Sequence, residues 1–324
     1  MLILNAHDVT QALPMHQAIE SMQMAMQSLS SGQAEIPLRT HIESHQGTTL
    51  VMPGWVSRQD HEALAVKVVS IFNQNRTHGL PNILGLVHVL NPQTGEPVAI
   101  LNGAAVTALR TAAVSGAATA SLANPDASRL AVIGSGPQAV SHFYAMCAVR
   151  PIQRASFYAR RKDRLREMIQ SLETEIDVQI ADSPDAATQD ADIICTTTNS
   201  STPVIHNDAV NPGCHINAIG SYKPDVVEIP SEVVQKARVF VDHRLTALSE
   251  AGDLIQPLQR GEISSGHVVG EIGELFSGQI SGRQSAVEIT LFKSVGNTIE
   301  DVVAASQIVQ NAKRLGLGQE IPLD

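Results

Sequence analysis

The sequence predicts an α/β chain of two domains, one a doubly wound parallel sheet and the other an α+β fold built on an antiparallel sheet. Three observations carry this expectation. An apolar run, Leu130-Ala131-Val132-Ile133, passes straight into Gly134-Ser135-Gly136-Pro137-Gln138-Ala139 and then into a helical pattern. Short strands and helices alternate after it, as a parallel sheet requires. Before it, from Ile36 to Leu101, strand patterns follow one another with turn signals between them, as in an antiparallel sheet. At 324 residues the chain is long enough for two cores.

Taken in order, a short first strand precedes a helix from Pro14 to Ser30, where Ala18, Ile19, Met22, Met26 and Leu29 recur at helical spacing before Ser31-Gly32. Its methionines suit core filling or a subunit interface. Strands are predicted over Pro37–Ile42, Thr48–Met52, Ala63–Ile71, Ile83–Leu90 and Pro97–Leu101, the last hairpin turning at Asn91-Pro92-Gln93-Thr94-Gly95. An alanine-rich helix from Gly103 to Leu122 stops at Asn124-Pro125-Asp126. The parallel domain then reads as strand 130–133, helix 137–149, strand 154–159, helix 162–173, strand 177–180, helix 184–190 and strands 192–196, 214–219 and 238–242. After a loop-rich section, a helix over Thr298–Arg314 is expected to pack back on the first domain. The domains so predicted are 1–112 with 298–324, and 113–297.

Composition narrows the function. Hydrophobic residues make up 43% and charged residues 17%, the proportions of a soluble globular protein. With 32 acidic against 22 basic residues the net charge is −10, which repels nucleic acid and anionic membrane and favours a small-molecule partner. No stretch is apolar over the roughly 18 residues a membrane span needs, and Met1–Asp8 lacks the pattern of a leader, so a cytoplasmic location is expected. Cys147, Cys195 and Cys214 have no C-x-x-C spacing and read as buried small hydrophobes. No metal site is predicted, because the twelve histidines are scattered and His61-Glu62-Ala63-Leu64-Ala65 lacks the second histidine of a zinc helix. Neither Ser115-Gly116 nor Gly134-Ser135-Gly136 is a G-x-S-x-G nucleophile elbow.

The glycine motif points to a dinucleotide. Gly134 permits the tight turn, Gly136 lets the backbone approach a pyrophosphate, and small Ala139 lets the helix pack on the strand, which is the Rossmann arrangement. The next strand, Ala155–Ala159, runs into Arg160-Arg161-Lys162, with no carboxylate at its end to hold ribose hydroxyls. Two guanidiniums there suit a 2′-phosphate, so NADPH is favoured over NADH, although they also read as solvated charges opening a helix.

A hydride carrier needs an acceptor pocket. Lys67 lies in the otherwise apolar Ala63–Val69, and Arg110 is the only charge in Val106–Ala113. Arg39 stands on the strand predicted over Pro37–Ile42. Each, taken singly, is compatible with snorkelling or a structural ion pair. Together, three isolated cations in one apolar domain suggest a cluster that binds a carboxylate.

Four separated stretches, Leu109-Arg110-Thr111-Ala112-Ala113, Gly134–Ala139, His215-Ile216-Asn217-Ala218-Ile219-Gly220-Ser221 and Lys293-Ser294-Val295-Gly296-Asn297-Thr298-Ile299-Glu300-Asp301, occur in the order in which the ornithine cyclodeaminase/mu-crystallin family carries them, and the chain resembles that family over nearly its whole length. The resemblance implies a homodimer whose N-terminal domain binds substrate and dimerises. Leu50 and Tyr222 stand where ornithine cyclodeaminases carry acid/base carboxylates, which argues against deamination and cyclisation of ornithine. Gly220-Ser221-Tyr222-Lys223-Pro224-Asp225 resembles instead the ketimine reductase branch, which reduces Δ1-pyrroline-2-carboxylate and Δ1-piperideine-2-carboxylate to L-proline and L-pipecolate. By that resemblance Arg39, Met52, Lys67 and Arg110 contact substrate, and Lys67, Arg110 and Ser221 serve catalysis. The cofactor would meet Thr111, Gly134, Ser135, Gly136, Pro137, Gln138, Ala139, Arg160, Arg161, Thr196, Thr197, Ala218, Ser221, Val295 and Gly296. The rival expectations are an alanine dehydrogenase-like activity and a nucleotide-dependent binding protein of the mu-crystallin type.

Overall fold

A computed structural model describes residues 1–58, 61–72 and 74–323. The chain forms two compact units, one made of Met1–Thr111 with Asn297–Asp324 and the other of Ala112–Gly296.

The first unit contains β1 (Leu2–Leu4), α1 (Ala6–Ala12), α2 (Met15–Ser30), β2 (Ala34–Glu35), β3 (Thr40–Glu43), β4 (Thr48–Arg58), β5 (His61–Ile71), β6 (Ile83–Leu90) and β7 (Pro97–Asn102). It also holds the start of α3 (Gly103–Leu122). Its sheet runs β16-β1-β7-β6-β5-β4-β2, with β3 also on β4, where β16 is Gln319–Glu320. The long β4–β5 hairpin is in continuous register from Thr48 opposite Ile71 to Arg58 opposite His61. Period-2 alternation buries Ala63, Ala65 and Lys67 on one face of β5. The helix α11 (Thr298–Leu315) packs on β4, β5 and β6 and against α1 and α2, and buries Ile299, Val302, Val303, Ile308 and Val309. Met22 and Met26 of α2 are fully buried, so these methionines fill the core.

The strands between residues 34 and 102 pair antiparallel, as expected, and β1, outside that stretch, pairs parallel with β7 and covers its edge. Two expectations are corrected in this unit. Arg39 does not sit on a strand: the chain is irregular from residue 36 to 39, where Pro37 brings no N–H to a ladder, and β3 starts only at Thr40. The strand predicted to stop at Met52 continues through Pro53 to Arg58. Pro53 falls between the stretch of β4 paired with β3 and the stretch paired with β2, so a residue without an N–H is tolerated there.

The second unit is a sheet of β8 (Arg129–Ile133), β9 (Arg154–Tyr158), β10 (Asp177–Ile180), β11 (Ile193–Thr196), β12 (His215–Ala218), β13 (Arg238–Val241), β14 (Val268–Glu271) and β15 (Thr290–Lys293). The order is β10-β9-β8-β11-β12-β15-β13-β14 and every pairing is parallel. Its helices are α4 (Pro137–Val149), α5 (Lys162–Gln170), α6 (Pro184–Thr188), α7 (Ser231–Lys236), α8 (Arg244–Glu250), α9 (Gly252–Gln259) and α10 (Ile272–Phe276). The winding direction reverses between β8 and β11, which in open α/β sheets marks where a ligand enters. Strand β15, expected as loop, lies inside the sheet between β12 and β13. Its four residues begin with Thr290 and end with Lys293, both fully buried, so no apolar run announces it.

The end of α3 has no glycine cap. Arg150 donates to the carbonyls of Thr119, Ala120, Ala123 and Asn124, and Arg283 to that of Leu122, which satisfies the orphan acceptors of the last turn. Among the described residues, no helix is long and apolar enough to cross a membrane.

Candidate active site

At the switch between β8 and β11, Gly134 has φ +143°, and a Cβ on it would come within 2.3 Å of Thr197 Oγ1, so only glycine lets the two strand ends meet. Its N–H donates to Tyr158 O at 2.9 Å. Gly136 is the N-cap of α4 and offers no side-chain cap, while a Cβ built on it would meet nothing within 4 Å. Open space therefore faces the amides that begin a thirteen-residue helix, with Pro137 in the first turn, where a missing N–H costs nothing. Ala139 is fully buried against the sheet, and Ser135 and Gln138 are half-buried. These residues fit the pyrophosphate of a dinucleotide.

The neighbouring strand ends hold the other expected cofactor residues. Thr196 closes β11 and is buried, and Thr197 bonds back to Ile133 O through both its N–H (2.9 Å) and its hydroxyl (3.2 Å). Ala218 closes β12 and is buried; Ser221 is fully buried with its hydroxyl donating to Val226 O. Val295 and Gly296 follow β15, their N–H groups both held by Asp242. Arg160 and Arg161 follow β9 and are exposed, Arg161 lying 3.5 Å from Asp163. Lys162 is turned away from them, donating to Ala181 O with its ammonium 4.8 Å above the Tyr158 ring. Thr111, in the first unit, is buried on α3.

In the first unit Lys67 and Arg110 come together through carboxylates that sequence reasoning had not assigned. Lys67 Nζ is 2.8 Å from Asp301 Oδ2 and 3.2 Å from Thr107 Oγ1. Arg110 reaches Asp301 Oδ1 through Nε at 3.2 Å and Glu300 Oε2 through Nη1 at 2.6 Å. Thr107 and Arg110 are three residues apart on α3 and share a face, and Met52 lies directly across the sheet from Lys67. All four charged side chains are buried, and their formal charges sum to zero. Burial lowers the Lys67 ammonium to about 8 despite Asp301, with the Arg110 charge adding to the decrease. Arg39, on the loop before β3, is half-buried; the charges that act on Lys67 are those of Asp301, Arg110 and Glu300.

Glu300 and Asp301 open α11, where the helix dipole favours anions, and the Glu300 carboxylate also accepts from Asn297 N–H in a capping box. The signal was present: Asn297-x-x-Glu300, then two adjacent acids at the head of an apolar helix. In the second unit Glu228, Asp242, Asp253 and Lys293 are buried charges that sequence reasoning also missed. Among the described residues, no group of three His, Cys, Asp or Glu side chains is placed to hold a metal ion.

A doubly wound parallel sheet with a glycine turn open at a helix start is a dinucleotide-binding arrangement, and, taken with the reductases it resembles, the chain is a nicotinamide-dependent oxidoreductase. The profile of the ornithine cyclodeaminase/mu-crystallin family matches residues 1–315, and the chain belongs to that family. A Δ1-pyrroline-2-carboxylate reductase of Bacillus cereus is 36% identical over 99% of each chain. The structure of the Thermococcus litoralis Δ1-pyrroline-2-carboxylate reductase in complex with NADH and L-proline superposes with a TM-score of 0.94 at 37% identity, covering 99% of this chain and 100% of that one. An archaeal alanine dehydrogenase dimer with bound NAD superposes with a TM-score of 0.92 at 30% identity, covering 100% of this chain and 99% of that one.

Proposed function

We propose that the protein reduces a cyclic ketimine carboxylate, Δ1-pyrroline-2-carboxylate or its six-membered homologue Δ1-piperideine-2-carboxylate, to the corresponding imino acid, with NADPH preferred over NADH. The observation that carries this reading is the buried, charge-neutral set Lys67, Arg110, Glu300 and Asp301. A dry site of zero net charge penalises an unaccompanied anion, whereas a protonated imine acid brings one positive and one negative charge and leaves the sum unchanged. The names of the relatives point the same way.

Bound at the glycine turn and the neighbouring strand ends, a reduced nicotinamide supplies the hydride. The chain's own tasks are orientation and exclusion of water, because an iminium accepts hydride without a strong general acid. Arg110 and Lys67 hold the substrate carboxylate, with Arg39 assisting, and Met52 supplies apolar wall beside Lys67. Ser221 spends its hydroxyl hydrogen on Val226 O, so its oxygen is left as an acceptor, which suits an iminium N–H or a positioned water.

The test is a turnover screen with the purified protein. With NADPH, the five- or six-membered ketimine carboxylate is reduced at least tenfold more efficiently than pyruvate plus ammonium, and ornithine releases no ammonia. Faster reduction of pyruvate with ammonium would replace this reading with the alanine dehydrogenase one. NADPH binding without turnover of any imine would favour the nucleotide-dependent binding protein.

A further inference from the structure

Two buried carboxylates brace the carboxyl edge of the parallel sheet. Glu228 Oε1 accepts from the N–H and the hydroxyl of Thr198, each at 2.7 Å, while its Oε2 accepts from Thr196 Oγ1 at 3.0 Å and Gly220 N–H at 2.6 Å. One side chain thereby ties the end of β11 to the end of β12. Asp242 follows β13, and its Oδ2 accepts from Ser294 Oγ (2.9 Å), Val295 N–H (2.9 Å) and Gly296 N–H (2.7 Å), which ties β13 to the loop after β15. The four strands are adjacent in the sheet.

The two braces are linked. Asp253 on α9 accepts from the N–H groups of Glu228 and Ile229 and stands 2.9 Å from the Lys293 ammonium, which ends β15 and draws on the Glu228 charge. Glu228, Asp242, Asp253 and Lys293 are all buried. Gly220 marks how tight the arrangement is: a Cβ there would lie 1.9 Å from Thr198 O and 2.6 Å from Glu228 Oε1.

Among the groups these carboxylates hold are the N–H groups of Val295 and Gly296, the hydroxyl of Thr196 and the N–H of Gly220 beside Ser221. Thr196, Ser221, Val295 and Gly296 are expected cofactor residues on the strand ends β11, β12 and β15, across β8 from the Arg160-Arg161 pair after β9. We propose that Glu228 and Asp242 are positioning residues that set the height and facing of the nicotinamide, while the adenosine and phosphate end is held independently by Gly134–Ala139 and the Arg160-Arg161 pair. This rests on the nucleotide reading of the proposed function. Neither carboxylate touches the reacting atoms; each acts through backbone amides that would loosen if half of its acceptors became an amide NH2.

The test compares the parent with Glu228→Gln and Asp242→Asn, using two probes. NADPH binding is read from dihydronicotinamide fluorescence, and adenosine 2′,5′-bisphosphate, which lacks nicotinamide, by calorimetry. The expected result is an NADPH dissociation constant raised at least tenfold in each variant, with the bisphosphate constant within twofold of the parent. Transfer from the two C4-deuterated NADPH epimers, strictly one-sided in the parent, should become measurably mixed. Equal weakening of both probes, or parent-like values with a lower melting temperature only, would reduce the carboxylates to structural roles and overturn the proposal. Should a variant fail to fold, Thr198→Val and Ser294→Ala each remove one hydroxyl donor and keep the carboxylate; a selective threefold loss of NADPH is then expected, and its absence overturns the proposal. A parent that binds neither probe overturns the nucleotide reading itself, whereas a parent that binds both, with variants that match it, overturns the brace alone.

Discussion

Arg110 is clamped between Glu300, 2.6 Å from Nη1, and Asp301, 3.2 Å from Nε, with all three side chains buried. A guanidinium so held has a fixed plane, which is what bidentate recognition of a substrate carboxylate requires. Arg110→Ala is expected to lower kcat/KM by at least about a hundredfold, roughly 3 kcal/mol, with little change in the NADPH dissociation constant. Arg110→Lys should not restore turnover, because a point charge lacks the fork. The alanine variant also leaves Glu300 uncompensated in a dry site, a loss of about 3–5 kcal/mol in stability. Adding Glu300→Gln should recover part of that stability, measured by denaturant unfolding, without recovering activity. Parent-like activity in a folded alanine variant would leave Arg110 a purely structural role.

Lys67 sets a pH dependence. Burial lowers its ammonium from the ordinary 10.5 to about 8, so the folded protein releases this proton before the unfolded chain does. Between pH 8 and 10.5 the unfolded state binds more protons, and this group's contribution to stability rises with pH; below 8 that contribution is lost. Binding runs the opposite way, since the neutral amine no longer attracts a carboxylate. The inhibition constant of pyrrole-2-carboxylate, whose nitrogen does not titrate in this range, is expected to rise by up to about tenfold per pH unit above 8. Lys67→Arg should remove that inflection, and a flat profile in the parent would contradict the assignment.

Cofactor choice depends on the exposed pair after β9. Arg161 lies near Asp163, but both are exposed, so that contact is weak and leaves a 2′-phosphate able to compete for the guanidinium. NADPH should be preferred over NADH in kcat/KM by about 1–3 kcal/mol. Arg160→Ala with Arg161→Ala should bring the two cofactors within about twofold. Equal values in the parent would count against the prediction.

The expected homodimer has a candidate face. Val68 on β5 and Leu86 on β6 are directly opposite in register, on the side of the sheet away from α11, and are 41% and 53% exposed. With Leu84 and the partly exposed Leu64 and Val66 they form an apolar strip of the kind a subunit interface uses. Light scattering at micromolar concentration should report a dimer, and Leu86→Lys combined with Val68→Lys a monomer. A parent that runs as a monomer would refute this.

The strand, glycine turn and helix start at residues 130–139 were readable because they are written locally, within ten residues. The helix over residues 137–149 and the strand over 177–180 have the predicted bounds for the same reason, since periodicity and turn residues agree there. Lys67 and Arg110 were legible as charges out of place in apolar segments. Their partners were not, because Glu300 and Asp301 lie about 190 and 234 residues away in sequence, and acids at a helix start are also what capping alone would produce. The same applies to Glu228 and Asp242, whose importance comes from the backbone they meet and not from their neighbours in sequence. Arg39 was misplaced because Pro37–Ile42 has strand-like composition, whereas only Thr40 onward finds a partner.

The way the two units divide the chain also sets an order of assembly during synthesis. Residues 112–296 are contiguous, but the unit that carries Lys67 and Arg110 is completed by residues from Asn297 onward. As the chain leaves the ribosome, β5 and the start of α3 emerge with two cations destined for a dry interior and no carboxylates to receive them, and β1 has no β16 to cover its edge. The nucleotide unit can close on itself in the meantime. The first unit cannot bury its charges until α11 arrives, so Glu300 and Asp301 act as a late latch, and a nascent chain cut short before Asn297 is left with a finished sheet beside an unfinished one.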